Sequence, residues 1–128
     1  MRLLLDTHAL LWWLAGDEAL SLSARAAIAD EANEIFVSAA STWEMATKHR
    51  LGKLPGLDPI AADLEAAIAA QGFRALSISL RHGHVAGALP GPHRDPFDRM
   101  LIAQAMLDDL VLVSNEVPFD SYGVRRLW

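Results

Sequence analysis

Arg2-Leu3-Leu4-Leu5-Asp6-Thr7 runs from an unbroken apolar stretch into an acid, and then into a segment of helical character from Thr7 to Ala15 that stops at Gly16-Asp17. A short leucine run bounded in this way reads as a strand covered on both faces. The arrangement recurs at Ile35 to Ser38, Ala75 to Ile78 and Leu110 to Val113, and Val124 to Leu127 reads as a last edge strand. Helical segments separate these runs. They are Ser23 to Ala32, with Ser21 or Ser23 as cap; Ser41 to Leu51, closed by Gly52; and Pro59 to Ala70, with Asp58 as cap. Leu80 to Leu89 follows as a weaker helix, then a Pro90–His93 loop, and then Pro96 to Leu107 capped by Asp95. Strands alternating with helices predict a mainly parallel sheet with helices on both sides, a three-layer α/β/α domain.

The chain has 128 residues, which fits a single domain covering 1–128. Its longest apolar run, Ala9 to Ala15, is far short of the ~18 residues of a membrane span. No charged segment of the export type precedes it, so the expected location is the cytoplasm. Without cysteine, disulfides and thiolate metal sites are excluded. The formal net charge of −5 disfavours broad electrostatic binding to nucleic acid and leaves phosphate contacts to local patches. Lys48, Arg50 and Lys53 form one patch, and Arg94 and Arg99 another.

Four acids, Asp6, Glu44, Asp98 and Glu116, fall just past a predicted strand or near a helix start. In a parallel sheet those places share the carboxyl edge, where such folds keep their sites. Carboxylates gathered at one edge repel one another unless a cation lies between them. A divalent metal satisfies that need, so the residues read as a metal-dependent enzyme. Each acid also has a bland reading. Asp6 and Asp95 suit helix caps, Ser41-Thr42-Trp43-Glu44 matches a capping box, and Asp98 suits a first helical turn. Glu116 lies in a loop. Four caps need not meet at one edge, and this favours the site.

Other residues carry less. His82 and His84, two apart, would face different sides of a helix and make a poor metal pair with His93. Trp12, Trp13 and Trp43 read as core or interface anchors before base-stacking platforms. Ser38 and Asn115 read as turn or capping groups that are also placed to hold a water or a phosphate.

Taken in order, Leu4-Leu5-Asp6-Thr7-His8, Ser38-Ala39-Ala40-Ser41-Thr42-Trp43-Glu44 and Arg50-Leu51-Gly52-Lys53-Leu54 resemble PIN-domain ribonucleases. Within that family they are similar to the VapC toxins of bacterial toxin–antitoxin pairs. Arg94-Asp95-Pro96-Phe97-Asp98-Arg99, with Met100 to Ala105 after it, continues the likeness. So do Leu112-Val113-Ser114-Asn115-Glu116 and Phe119 to Val124. The resemblance implies metal-dependent endonucleolytic cleavage of RNA with Mg²⁺ or Mn²⁺. It implies catalytic roles for Asp6, Glu44, Asp98 and Glu116, with Asp6 and Asp98 as direct metal ligands. Glu116 stands where many members carry aspartate, so its longer side chain departs from the pattern. Asp95, Thr7, Ser38 and Asn115 take accessory places, and Lys48, Arg50, Lys53 and Arg99 are candidates for RNA phosphates.

The expected partners are RNA, a small cognate antitoxin and a second copy of the chain. The homodimer rests on apolar content and clustered tryptophans. Competing readings are a PIN-like module that binds or processes RNA outside a toxin pair, a protein-interaction domain, and a haloacid-dehalogenase-like phosphatase. The last usually has a second aspartate two residues after the first, where this chain has His8.

Overall fold

A computed structural model describes residues 1–54 and 57–128. Among these residues five strands form one sheet in the order β3-β2-β1-β4-β5, every neighbouring pair parallel: β1 (Arg2–Leu5), β2 (Glu34–Ser38), β3 (Arg74–Leu76), β4 (Val111–Val113) and β5 (Arg126–Leu127). Side chains alternate across each strand. Leu3 and Leu5, with Val111 and Val113, join one apolar layer, where Leu10, Ala24, Met45 and Ile68 also pack. Leu4 and Leu112 join the other, against Leu101, Ile102, Ala105 and Phe119. Leu3, Leu4 and Leu5 are fully buried, so the opening run is leucine throughout because neither face of β1 meets water. The expected three-layer α/β/α architecture is the one observed.

The first layer is made by α1 (Thr7–Ala15), α2 (Leu22–Ala29), α3 (Ala39–Arg50) and α5 (Leu64–Ala70), with the short α4 (Asp58–Ala61) before α5. The second contains α6 (Leu80–Ala88) and α7 (Pro96–Asp108). Helix starts follow the side chains that can accept from free N–H groups. Ser21 caps α2, and its hydroxyl accepts from Ala24 N–H at 3.1 Å. Ser38 caps α3, three residues before the expected start at Ser41. Glu44 therefore lies in the second turn, outside any capping box. Among the described residues a capping box is formed by Ser79 with His82. The single helix expected over 59–70 is two, because Asp63 caps a new start at Leu64 by accepting from Ala66 N–H. Asp58, expected as a cap, is the first residue of α4 and pairs with His49.

The chain fills β1, β2 and β3 to one side, then crosses back to lay β4 and β5 on the other. The crevice between β1 and β4 is thus the place where the strand order reverses, which is where open α/β sheets keep their sites. Asp6 N–H donates to the Val113 carbonyl at 3.1 Å, extending the β1–β4 ladder by one rung and fixing Asp6 at that crevice.

Candidate active site

Asp6 is both cap and site residue. Its Oδ1 accepts from Ala9 N–H at 2.7 Å, and the residue is 3% exposed. Burial raises its carboxyl above the ordinary value, and the charge of Glu116 adds to that. The Ser114 side chain, the Ala9 N–H and His8 oppose the rise. Ser114 is fully buried at the end of β4, and its hydroxyl accepts from Glu116 N–H at 3.0 Å. One hydroxyl thus links the first acid to the loop of the fourth. Glu116 is half-buried and Asn115 exposed.

Asp98 lies in the first turn of α7. Its N–H donates to Asp95 Oδ1 at 3.1 Å and that of Phe97 at 2.8 Å, so Asp95 caps the helix. His93 Nε2 is 2.8 Å from Asp98 Oδ2. Burial lifts the Asp98 carboxyl to about 6 against this hydrogen bond, with the charges of Asp95 and Glu44 adding to the rise. Glu44 is therefore the electrostatic neighbour of Asp98. It is 4% exposed, and its Oε2 is 2.8 Å from Lys48 Nζ one turn along α3.

At the carboxyl edge Glu116 acts by charge on Asp6, and Asp95 and Glu44 act by charge on Asp98. Among the described residues no three of His, Asp and Glu form a group ready to hold a metal ion. The reason is local. Asp6 spends an oxygen on its own helix, Lys48 neutralises Glu44, and His93 holds Asp98. The donor chemistry still fits a hard divalent cation, being all carboxylate oxygen without thiolate. Burial that lifts Asp6 and Asp98 leaves both in want of positive charge.

The accessory and basic residues divide. Thr7 Oγ1 is 3.1 Å from Ser41 Oγ in the interior, pinning α1 to α3 beside Asp6 and Glu44. Ser38 is a fully buried cap. Arg50 and Lys53 are exposed near the end of α3. Arg99, expected at a phosphate, is turned inward. Its Nε donates to Ala86 O at 3.0 Å, Nη1 to His93 O at 2.8 Å, and Nη2 to Leu89 O. The structure also adds His93 and Ser114, which the sequence reading passed over for the site. Ser114 had a signal, being a small hydroxyl between a strand and an acid. His93 had none, because its place depends on Tyr122, whose hydroxyl accepts from His93 N–H at 3.1 Å. That approach needs glycine at 91, where φ is +104° and a Cβ would stand 2.8 Å from the Tyr122 oxygen.

Known proteins resemble this chain in sequence and in fold. The family model described as PIN domain covers residues 3–124. Ribonuclease VapC22 of Mycobacterium tuberculosis (strain ATCC 25618 / H37Rv) is 32% identical over 114 residues, 88% of this chain and 85% of that protein. Ribonuclease VapC16 of the same organism is 42% identical over 62 residues, a match that takes in 48% of this chain and 43% of VapC16. Among solved structures, VapBC2 from Rickettsia felis, bound to a DNA fragment from their promoter, superposes with a TM-score of 0.71 over 99% of this chain and 98% of that one. At 14% identity, that likeness speaks to the fold alone. With the family model spanning nearly the whole chain and VapC22 aligned along most of it, the chain belongs to the PIN-domain family.

Proposed function

We propose that this protein is an endoribonuclease dependent on Mg²⁺ or Mn²⁺, and the toxin of a VapBC-type toxin–antitoxin pair. The observation that carries the reading is the pair Asp6 and Asp98. Both carboxyls are raised by burial at the carboxyl edge of the sheet, one of them at the β1/β4 crevice. The VapC ribonucleases that align with this chain support the same chemistry.

RNA approaches this edge as a polyanion, and carboxylates alone would repel it. Asp6 and Asp98 would hold the divalent cation. When bound, such a metal polarises a water and offsets negative charge developing on the scissile phosphate. Ser114 and the Ala9 N–H keep the Asp6 carboxylate in one orientation, and His93 does this for Asp98. Glu44, buried and balanced by Lys48, orients the attacking water. Glu116 reaches in from the loop and acts through water. Arg50 and Lys53 take flanking phosphates, while Lys48 serves Glu44 and Arg99 serves the loop before α7.

The partners in this reading are an RNA substrate, a cognate antitoxin and a second copy of the chain, in the cytoplasm. Exposed Leu22, Leu80 and Val117 supply apolar surface for association. No helix among the described residues is long and apolar enough to cross a membrane.

The test is cleavage of single-stranded RNA by the purified protein with Mn²⁺ or Mg²⁺. Asp6→Asn and Asp98→Asn should each abolish it without loss of the folded state. Undiminished cleavage in EDTA, or in either variant, would overturn the reading. Expression of the protein alone should arrest growth of its host, and co-expression of the adjacent gene's product should relieve the arrest. A harmless protein that the neighbour does not bind would instead be a housekeeping RNA-processing enzyme.

A further inference from the structure

Trp43 differs from the other tryptophans of the chain. Trp12, Trp13 and Trp128 pack against the core, whereas Trp43 is 63% exposed. Its ring nevertheless has an aromatic neighbour. It meets Phe97 edge to face, with centroids 4.9 Å apart and planes at 75°. The two rings rim an apolar recess of about 220 Å³ whose walls include Ile78 and Met100. Trp43 directly precedes Glu44, and Phe97 directly precedes Asp98. The aromatic pair therefore adjoins the acid pair that α3 and α7 bring together.

We infer that Trp43 and Phe97 form a stacking platform for one unpaired base of the RNA strand entering the acidic edge. The inference rests on the ribonuclease reading and adds how the strand is gripped. Arg50 lies seven residues after Trp43, on the same exposed face of α3 and about 10 Å further along its axis. An exposed aromatic followed by an exposed cation, leading away from the acids, is the pairing that single strands use: a base on the ring and a phosphate on the cation. Arg50 carries the positive charge on this face, since Lys48 is paired with Glu44 and His49 with Asp58. The Arg99 guanidinium at the recess is engaged with the carbonyls of Ala86 and His93, and the remaining walls are apolar. The platform therefore grips by stacking and reads no base edge, so it accepts any base and rejects a missing one.

The test is equilibrium binding of a labelled oligoadenylate in EDTA at low salt, with wild type, Trp43→Ala and Trp43→Phe. It is repeated with oligomers carrying one abasic nucleotide at successive positions. Trp43→Ala should weaken binding by roughly tenfold, the usual contribution of one base–aromatic stack, and Trp43→Phe should keep most of it. One abasic position should cost wild type a similar factor and cost Trp43→Ala nothing further. Equal binding by wild type and Trp43→Ala, or equal abasic losses in both, would overturn the platform. A Trp43→Ala protein that binds RNA normally but has lost self-association, or its hold on the adjacent gene's product, would place Trp43 in a protein interface and overturn it too. Cleavage by wild type is scored separately. If wild type binds RNA through Trp43 but never cuts it, the ribonuclease reading fails and the platform stands; if wild type cuts but Trp43→Ala binds unchanged, the reverse holds.

Discussion

His93 Nε2 lies 2.8 Å from Asp98 Oδ2, and still the Asp98 carboxyl rises to about 6. The loss of hydration at this site outweighs a well-formed hydrogen bond. In the unfolded chain the same carboxyl returns to its ordinary 3.8. Between those values the native state binds more protons than the unfolded one, so Asp98 makes stability fall as pH rises through that window. About a quarter of the side chain meets solvent, which moderates the effect to an order of 1–2 kcal/mol. Asp98→Asn should therefore melt higher than wild type by roughly 4 °C in metal-free buffer above pH 6. The difference should close as pH falls towards 4. A variant that melts lower at neutral pH, followed by scanning calorimetry, would contradict this.

Glu44 has one cation close to it, Lys48 at 2.8 Å, and sits almost wholly out of solvent. Removing Lys48 leaves a buried carboxylate without its counter-charge, a change that costs on the order of 2–3 kcal/mol, less than for a fully buried pair because the Lys48 side chain is 35% exposed. Lys48→Met should lower the metal-free melting temperature by several degrees, and the double variant with Glu44→Gln should recover most of the loss. Millimolar Mn²⁺ should raise the melting point of Lys48→Met by more than that of wild type, because the cation replaces the missing charge. Equal increments in both proteins would mean that Lys48 and the metal act independently.

The centre of the sheet was legible because β1 and β4 are buried on both faces. Leu3, Leu4 and Leu5 announce this by admitting no polar residue, and Val111, Leu112 and Val113 do the same. Strand ends then place Asp6 and Glu116 with no further information. The start of α3 was misplaced because Ser38 and Ser41 are equally good caps as residues. What separates them is that Ser41 is needed inside, against Thr7. Lys48 stands four residues from Glu44, so their pairing was open to sequence reading, but the basic cluster drew attention to phosphates instead. Arg99 and His93 were beyond it. Their partners are Tyr122 and the carbonyls of Ala86 and His93, at the end of α6 and in the loop after it, and neither composition nor periodicity says where those carbonyls point.

Glu116 is half-buried, and its backbone is held by Ser114. Its influence on Asp6 is by charge. A group acting at that remove contributes less than a direct ligand. Glu116→Gln should lower the cleavage rate by roughly tenfold, the range of outer-shell groups, and Asp98→Asn by far more. The comparison is made on one RNA at saturating Mn²⁺. Equal losses would make Glu116 a direct ligand.

Arg99 separates a structural from a binding role. Its guanidinium donates to the carbonyls of Ala86, Leu89 and His93, tying the end of α6 and the following loop to α7. Arg99→Met would strand three partly buried acceptors, at about 1 kcal/mol or more each, and should lower the melting point by roughly 8 °C or more. Amide exchange should quicken over residues 89–94 before it does elsewhere. Cleavage should fall as well, because His93 would lose the contact that fixes its backbone and Asp98 its steady partner. The salt dependence of RNA binding should keep its slope, since a phosphate contact would reduce that slope by about one on removal. Unchanged melting together with a shallower slope would return Arg99 to the RNA and leave the loop held by Tyr122 alone.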